Sequence, residues 1–226
     1  MTRHESKARK SWLLSFGDLV TLLICFFIMT LVLNKGDVKQ VHQWIDGQIE
    51  RSYHSLQTTL AQDELVGVAL SRDNEGILIT INTPDAFESA KTQPSPLLNQ
   101  LIQRIALQLP QLPIIQVEQN YPELIRSMQQ AGLNWHTDII IEGHTDNDAI
   151  AATSPLRNNW QLSALRAQAV MMQLQSESKL PPERFSLAGK GEYAPISDND
   201  TAEHKSQNRR IQIRINAALL KSTPSS

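Results

Sequence analysis

The stretch DIIIEGHTD, residues 138–146, decides how the rest of the chain is read. Three consecutive isoleucines between acids form too short an apolar run for a helix. Their β-branching suits a buried strand, placed at Asp138–Glu142. Gly143 then allows a sharp turn, and His144, Thr145 and Asp146 fall beyond the strand's carboxyl end, where ligand loops gather. Working outward, GILITIN (Gly76–Asn82) and Arg210–Ile215 alternate as strands, with a short added strand at Phe185–Leu187. Leu97, Leu98, Leu101, Ile102, Ile105 and Leu109 make a helical stripe over Pro94–Leu109, which Pro110 ends. Leu162, Leu165, Ala169 and Met172 make another over Trp160–Glu177. The order strand, helix, strand, helix, strand is an α+β domain beginning near Val66. An inserted segment, 114–136, shows a further short helix at Pro122, Leu124, Ile125, Met128 and Gly132, and the sequence assigns it no role.

The composition narrows the function. The chain has 226 residues, 21 Lys+Arg against 23 Asp+Glu, a net charge of −2 and 41% hydrophobic residues, enough to bury a core. That balance argues against nucleic-acid binding, which needs a basic face. Cys25 alone excludes an internal disulfide framework and a cysteine-cluster zinc site. Metal-protease spacing, a nucleophile elbow and a candidate cysteine nucleophile are absent, so the chain reads as a non-enzyme without cofactor or metal. His144 reads as a loop hydrogen-bonder.

Apolar residues concentrate at the other end. Ser11–Leu33 reads SWLLSFGDLVTLLICFFIMTLVL, 23 residues with one charge, which as a helix spans the roughly 30 Å hydrocarbon layer. Arg3, Lys7, Arg9 and Lys10 precede it, which by the positive-inside rule sets residues 1–10 in the cytoplasm and all after Asn34 outside. The run exceeds a signal-peptide core and ends without a small-x-small cleavage site, so it reads as an uncleaved single-pass anchor.

Asp18 is the charge inside this run. An ionised Asp there costs about 2.5–3.5 kcal/mol unless it finds a partner, water or a proton. Ser15 and Thr21 lie one helical turn to either side and extend it into a polar stripe. Two readings stay open: a protonated, idle side chain, or a carboxylate facing a second protein and transferring an ion. Beyond the anchor, a polar linker over 34–65 carries Val38, Val41, Ile45 and Ile49 at three- and four-residue steps, one apolar helical face.

In the domain, Arg166 on the second helix lies near its polar edge, and Asp146 and Arg166 can face one cleft. Such a pair complements a zwitterion, the carboxylate meeting an ammonium and the guanidinium gripping a carboxylate. Spacing leaves a plain salt bridge between the two equally open.

The basic start followed by SWLLSFGDLVTLLICFF resembles the B-subunit of ion-driven motor stators, the MotB/PomB family, with Gly17 where that family usually has Ala. GHTD, NNWQLSALRAQAV, RFSLAGKGEYAP and QNRRIQIRI resemble, in order, the OmpA/MotB peptidoglycan-binding domain. The resemblance implies a single transmembrane helix followed by an OmpA-like βαβαβ domain with a mixed sheet at 66–217, and a flexible tail at 218–226. It implies that Asp18 carries H⁺ or Na⁺ and that residues 38–49 form a plug. It implies that Asp146 binds the amine and Arg166 the carboxylate of a cell-wall peptide's diamino acid. Thr145, Asn159 and Leu162 then line the pocket, and Arg210, in the late pair Arg209–Arg210, either bonds the ligand or pairs within the sheet. Ala149–Pro155 lacks the Gly that outer-membrane members carry there. The implied partners are a MotA/PomA-like A-subunit, a second copy of the chain as a homodimer, and peptidoglycan, at the bacterial inner membrane with the domain in the periplasm. A flagellar stator is the leading expectation; a non-flagellar stator-like machine, such as a Zorya-type anti-phage motor, and a passive tether from membrane to wall are the alternatives.

Overall fold

The computed structural model describes residues 3–61, 67–83, 86–87, 91–152 and 154–221. It divides into two compact units, Met1–Ile45 and Asp46–Ser226. Helix α1, Arg3–Ala61, contributes to both. In the first unit Trp12 stacks on Phe16 at 5.5 Å. Thr21 Oγ1 donates to the Asp18 carbonyl at 2.8 Å, so this part of the polar stripe folds back on its own helix. Leu19, Leu22, Phe26, Phe27, Ile28 and Met29 are exposed. No helix among the described residues is long and apolar enough to cross a membrane. The side chains of residues 11, 13, 14 and 31–40 lie outside the described residues, so the span expected at 11–33 falls only partly within them.

The second unit is built on a five-stranded mixed sheet in the order β1-β2-β5-β3-β4. Its strands are β1 (Val68–Arg72), β2 (Gly76–Ile81), β3 (Leu133–His144), β4 (Phe185–Gly191) and β5 (Ile211–Lys221). All pairs are antiparallel except β3 with β4. Ile77, Ile79, Ile81, Ile139, Ile141, Ile211, Ile213 and Ile215 are buried, as the two-residue period of a strand dictates. Helices α2 (Pro96–Gln108) and α5 (Asn159–Ser178) carry the matching apolar faces, joined by Gln173 Nε2 donating to the Asn99 carbonyl at 3.0 Å.

The structure lengthens two of the expected strands. β3 begins at Leu133, because Trp135 and Thr137 continue the buried alternation that the isoleucines end. β5 runs to Lys221 opposite Leu133, so residues 218–221 are strand, not tail; residues 222–226 and 62–66 lie outside the described residues. Edge strand β1 and helix α6 (Ala202–Asn208) bury few side chains, which is why no apolar period announced them.

Helix α5 is rotated from the expected stripe. Its buried line is Leu162, Arg166, Val170 and Leu174, with Ala167 beside it, while Met172 is exposed. Arg166 therefore sits on the core-facing line, not at the polar edge, because partners described below accept its guanidinium.

Gly143 also differs in its reason. It lies within β3, outside the positive-φ glycines, and a Cβ there would meet the Ser163 carbonyl oxygen at 2.1 Å. Its function is close approach of α5 to the sheet rather than a turn. Gly143→Ala is expected to destabilise the domain by about 1–3 kcal/mol. For a domain of this size the midpoint falls about 2–4 °C per kcal/mol in thermal unfolding; an unchanged midpoint would refute the close-packing account.

The compact unit starts well before the expected boundary at residue 66. Residues 46–61 of α1 bury Ile49, Ser52 and Leu56. Ser52 Oγ accepts from the Ile114 amide at 2.9 Å. The inserted segment thus gains a role: with buried Ile114, Ile115 and Val117 it seats the end of α1. It continues through α3 (Val117–Asn120) and α4 (Pro122–Gln130), and Arg184 ties it to the sheet by bonding Glu118 at 2.5 Å and Thr137 at 2.7 Å.

Candidate binding site

The register of the sheet builds the site. Ile81 pairs with Ile211, and Ile211 with Gly143, so β2, β5 and β3 present the same end side by side. Beyond it opens a cavity of about 520 Å³. Thr145, Asp146, Asn159, Leu162, Arg166 and Arg210, all expected at the site, line it together with Phe87, His144 and Arg209.

Asp146 is 7% exposed and Arg166 6%, on one cleft, yet they are not each other's ion pair. Asp146 Oδ2 accepts from Arg209 Nη1 at 2.6 Å, and Oδ1 from the Asp148 amide at 3.2 Å. Arg166 lies over the Phe87 ring at 4.7 Å and donates Nε to the Lys91 carbonyl at 3.0 Å. Burial pushes the Arg166 guanidinium down to about 10; Asp146 opposes that shift and Arg209 adds to it. The plain Asp146–Arg166 salt bridge is thus replaced by two anchored charges facing shared space.

Asn159 organises the rim. Asn158 caps α5 by accepting from the Gln161 amide at 2.9 Å, which frees Asn159 Nδ2 to direct its two hydrogens at Asp148 O, 2.9 Å away, and Glu192 Oε2, 2.8 Å away, with Asp146 O at 3.3 Å sharing one of them. These bonds hold the loop after Asp146, where the glycine is missing, as a cavity wall of Asp148, Ala149, Ile150 and Ala151. Lys205 Nζ fixes its outer side through Asp148 at 2.6 Å. Arg210 combines both readings: it lines the cavity, yet donates Nη2 to the Ala194 carbonyl at 3.1 Å. Burial pushes its guanidinium down to about 10.

His144 departs from its expected role. Its amide donates to Arg210 O at 3.0 Å, while its buried ring lies beside the Glu142 carboxylate, with Nε2 3.8 Å from Oε2, and near the Gln212 side chain. Burial, then Arg210, lowers its pKa to about 4. A pKa depressed below the unfolded value of 6.5 means the unfolded chain binds more protons between about pH 6.5 and 4. Stability must therefore fall as pH falls through that window, by about 3 kcal/mol at most. Urea unfolding at pH 7 and pH 4.5 is expected to show a smaller acid loss in His144→Gln than in the parent; equal losses would refute this assignment.

Arg209, Phe87 and the Lys91 carbonyl were absent from the expected site. Only the Arg pair at 209–210 signalled the first; Phe87 and Lys91 carry no motif. The expected plug residues separate: Ile49 is buried in the domain unit, Val41 and Ile45 belong to the first unit, and the Val38 side chain lies outside the described residues. Asp18 lies in the first unit, on an exposed stretch of α1.

Comparison with known proteins agrees with this division. Residues 114–209 match the OmpA family, and residues 2–47 match the family described as membrane MotB of the proton-channel complex MotA/MotB. The Bacillus subtilis protein YtxE is 26% identical over 93% of this chain and 90% of its own length. Motility protein B of Bacillus subtilis is 45% identical, over 37% of this chain and 31% of that protein. The cell wall anchor of the T6SS from Pseudomonas aeruginosa superposes with a TM-score of 0.53 at 26% identity, covering 71% of this chain and 96% of that one. The chain is therefore of the MotB type, a MotB-like amino-terminal segment joined to an OmpA-like domain.

Proposed function

We propose that this chain is the wall-anchoring B-subunit of an ion-driven stator, held by one transmembrane helix in the inner membrane with its domain in the periplasm. Its companions are a ring of MotA-like A-subunits and a second copy of itself. The observation that carries the anchoring half is the cleft, where a buried carboxylate, Asp146, and a buried guanidinium, Arg166, line the same cavity. An ammonium entering it exchanges with Arg209 at Asp146, and a carboxylate meets the fork of Arg166. The diamino acid of a peptidoglycan stem peptide carries both groups.

The membrane half is supported by the MotB match over residues 2–47 and by the exposed apolar side chains at 19–29. An apolar surface of that extent is stable in lipid or against partner helices, not in water. Asp18 is the one acid on it and is the group proposed to carry the ion. Val41 and Ile45 remain the candidates for a plug.

The test of the anchoring half is co-sedimentation of the detergent-solubilised chain with purified sacculi. Asp146→Asn keeps the shape but removes the charge, and is expected to weaken binding about 10- to 100-fold, as loss of a charge-assisted contact does. Parent-like sedimentation of that variant would overturn the cleft as the wall site.

A further inference from the structure

Arg209 is a charge that a ligand of the cleft both meets and unseats. It follows α6, its amide donating to the Lys205 carbonyl at 3.1 Å, and the next residue turns inward. Arg210 is 4% exposed and donates to the Ala194 carbonyl, so of the adjacent pair Arg209 keeps the open head, with 42% of its side chain exposed. That guanidinium lines the cavity and grips Asp146 Oδ2 at 2.6 Å. The Asp146 side chain is 10% exposed, and its Oδ1 accepts from the Asp148 amide. Little carboxylate surface is left, so an ammonium that binds Asp146 takes the seat Arg209 holds.

An unseated Arg209 needs another anion. Asp146 is its side-chain partner, and among the described residues it has no second one. The other described carboxylate on the cavity wall, Asp148, is already held by Lys205 Nζ at 2.6 Å. The neighbouring cation sharpens the need. Asp146 favours the charged form of Arg166 and Arg209 opposes it, so an ammonium on Asp146 cancels the charge that offsets the repulsion between the two guanidiniums. A planar guanidinium freed beside the ammonium seat is matched by a carboxylate, which accepts two parallel bonds. The ligand has to bring it.

We propose that Arg209 reads a second carboxylate, so that the cleft takes a ligand carrying one ammonium and two carboxylates. This rests on the reading of Asp146 and Arg166 as the diamino-acid clamp, which accounts for the ammonium and the first carboxylate. A stem peptide ending in diaminopimelic acid has two further carboxylates, one on the adjoining glutamyl residue and one at the chain end. Either has the chemistry Arg209 requires, and amidating either leaves the clamp groups untouched.

Isothermal titration of the full chain in detergent tests it with the tripeptide Ala-γ-Glu-diaminopimelic acid and two analogues, one amidated at the glutamyl carboxylate and one at the chain end. In the parent, the analogue amidated where Arg209 binds is expected to bind about 10-fold or more weaker than the acid, the loss of a charge-assisted contact. In Arg209→Gln that penalty is expected to vanish, acid and amide binding within about 2-fold. The analogue whose penalty vanishes identifies which carboxylate is read. Arg209→Lys keeps the charge but loses the fork, and is expected to retain only part of the penalty. Should Arg209→Gln fail to fold by circular dichroism, Arg209→Lys alone must shrink the penalty. Equal binding of acid and both amides by the parent, or penalties unchanged in these variants, overturns the second contact while leaving the clamp intact. Failure of the tripeptide to bind, or binding that survives acetylation of its free amine, overturns the clamp and the proposal with it.

Discussion

Asp18→Asn is expected to abolish ion-driven work while leaving the chain folded and bound to the wall. The amide has nearly the size of the carboxyl but cannot take up or release a cation at accessible pH. A carboxylate responds to its surroundings, desolvation raising its pKa and hydration lowering it, and that response is what lets a moving partner load and unload an ion. Around Asp18 the chain offers no substitute: the described helix surface is apolar from Leu19 to Met29 apart from Thr21 and Cys25, and Thr21 is bonded to the backbone. Among the described residues Asp18 takes part in no ion pair, so the substitution breaks no internal bridge. The measurement is rotation or torque in cells expressing the chain with an A-subunit, alongside ion flux in vesicles. Motion or flux that survives Asp18→Asn would eliminate the rotary reading and leave a passive tether, since the tether needs the anchor and the cleft but no titrating group.

Arg166→Ala is the second large effect, and it acts at the opposite end of the molecule's chemistry. The side chain is almost wholly buried, stacked on Phe87 and bonded to the Lys91 carbonyl. Truncating a buried, hydrogen-bonded cation that receives a ligand carboxylate costs about 2–5 kcal/mol of binding, roughly 30-fold to several thousandfold. It also strips a donor from the Lys91 carbonyl, costing about 1–3 kcal/mol of stability. The two effects separate with Arg166→Lys, which keeps the charge but loses the planar fork. Lysine is expected to preserve most of the melting temperature while sacculus binding still falls about 10-fold, the loss of one parallel charged hydrogen bond. If a folded Arg166→Ala protein binds sacculi like its parent, the guanidinium is a packing element of α5 and the ligand carboxylate lies elsewhere.

Each sequence signal along the chain is as strong as the burial that produces it. Runs with a strong apolar period, GILITIN, DIIIE and RIQIRI, are strands because alternating isoleucines have one stable way to bury. Edge strand β1 and helix α6 escaped because exposed elements leave no period. Helix α5 carries a decoy stripe, Leu165, Ala169 and Met172, beside the buried line through Leu162, Arg166, Val170 and Leu174. An arginine on a core-facing line is unreadable from composition; it becomes possible only when an aromatic face and a carbonyl from a distant loop receive it.

Local order along the chain was enough to name the GHTD loop, the two charges that flank the cleft, the acid within the apolar amino-terminal run and the mixed strand–helix alternation. Those properties depend on neighbours within a few residues, where spacing translates directly into geometry. Which cation holds Asp146, why residue 143 must be glycine and where the domain unit takes up helix α1 are decided by contacts between residues far apart. Asp146 and Arg209 are 63 positions apart, and Ser52 and Ile114 are 62 apart. No periodicity spans such distances, so only the register of β2, β5 and β3 and the packing of α5 bring these groups to one place.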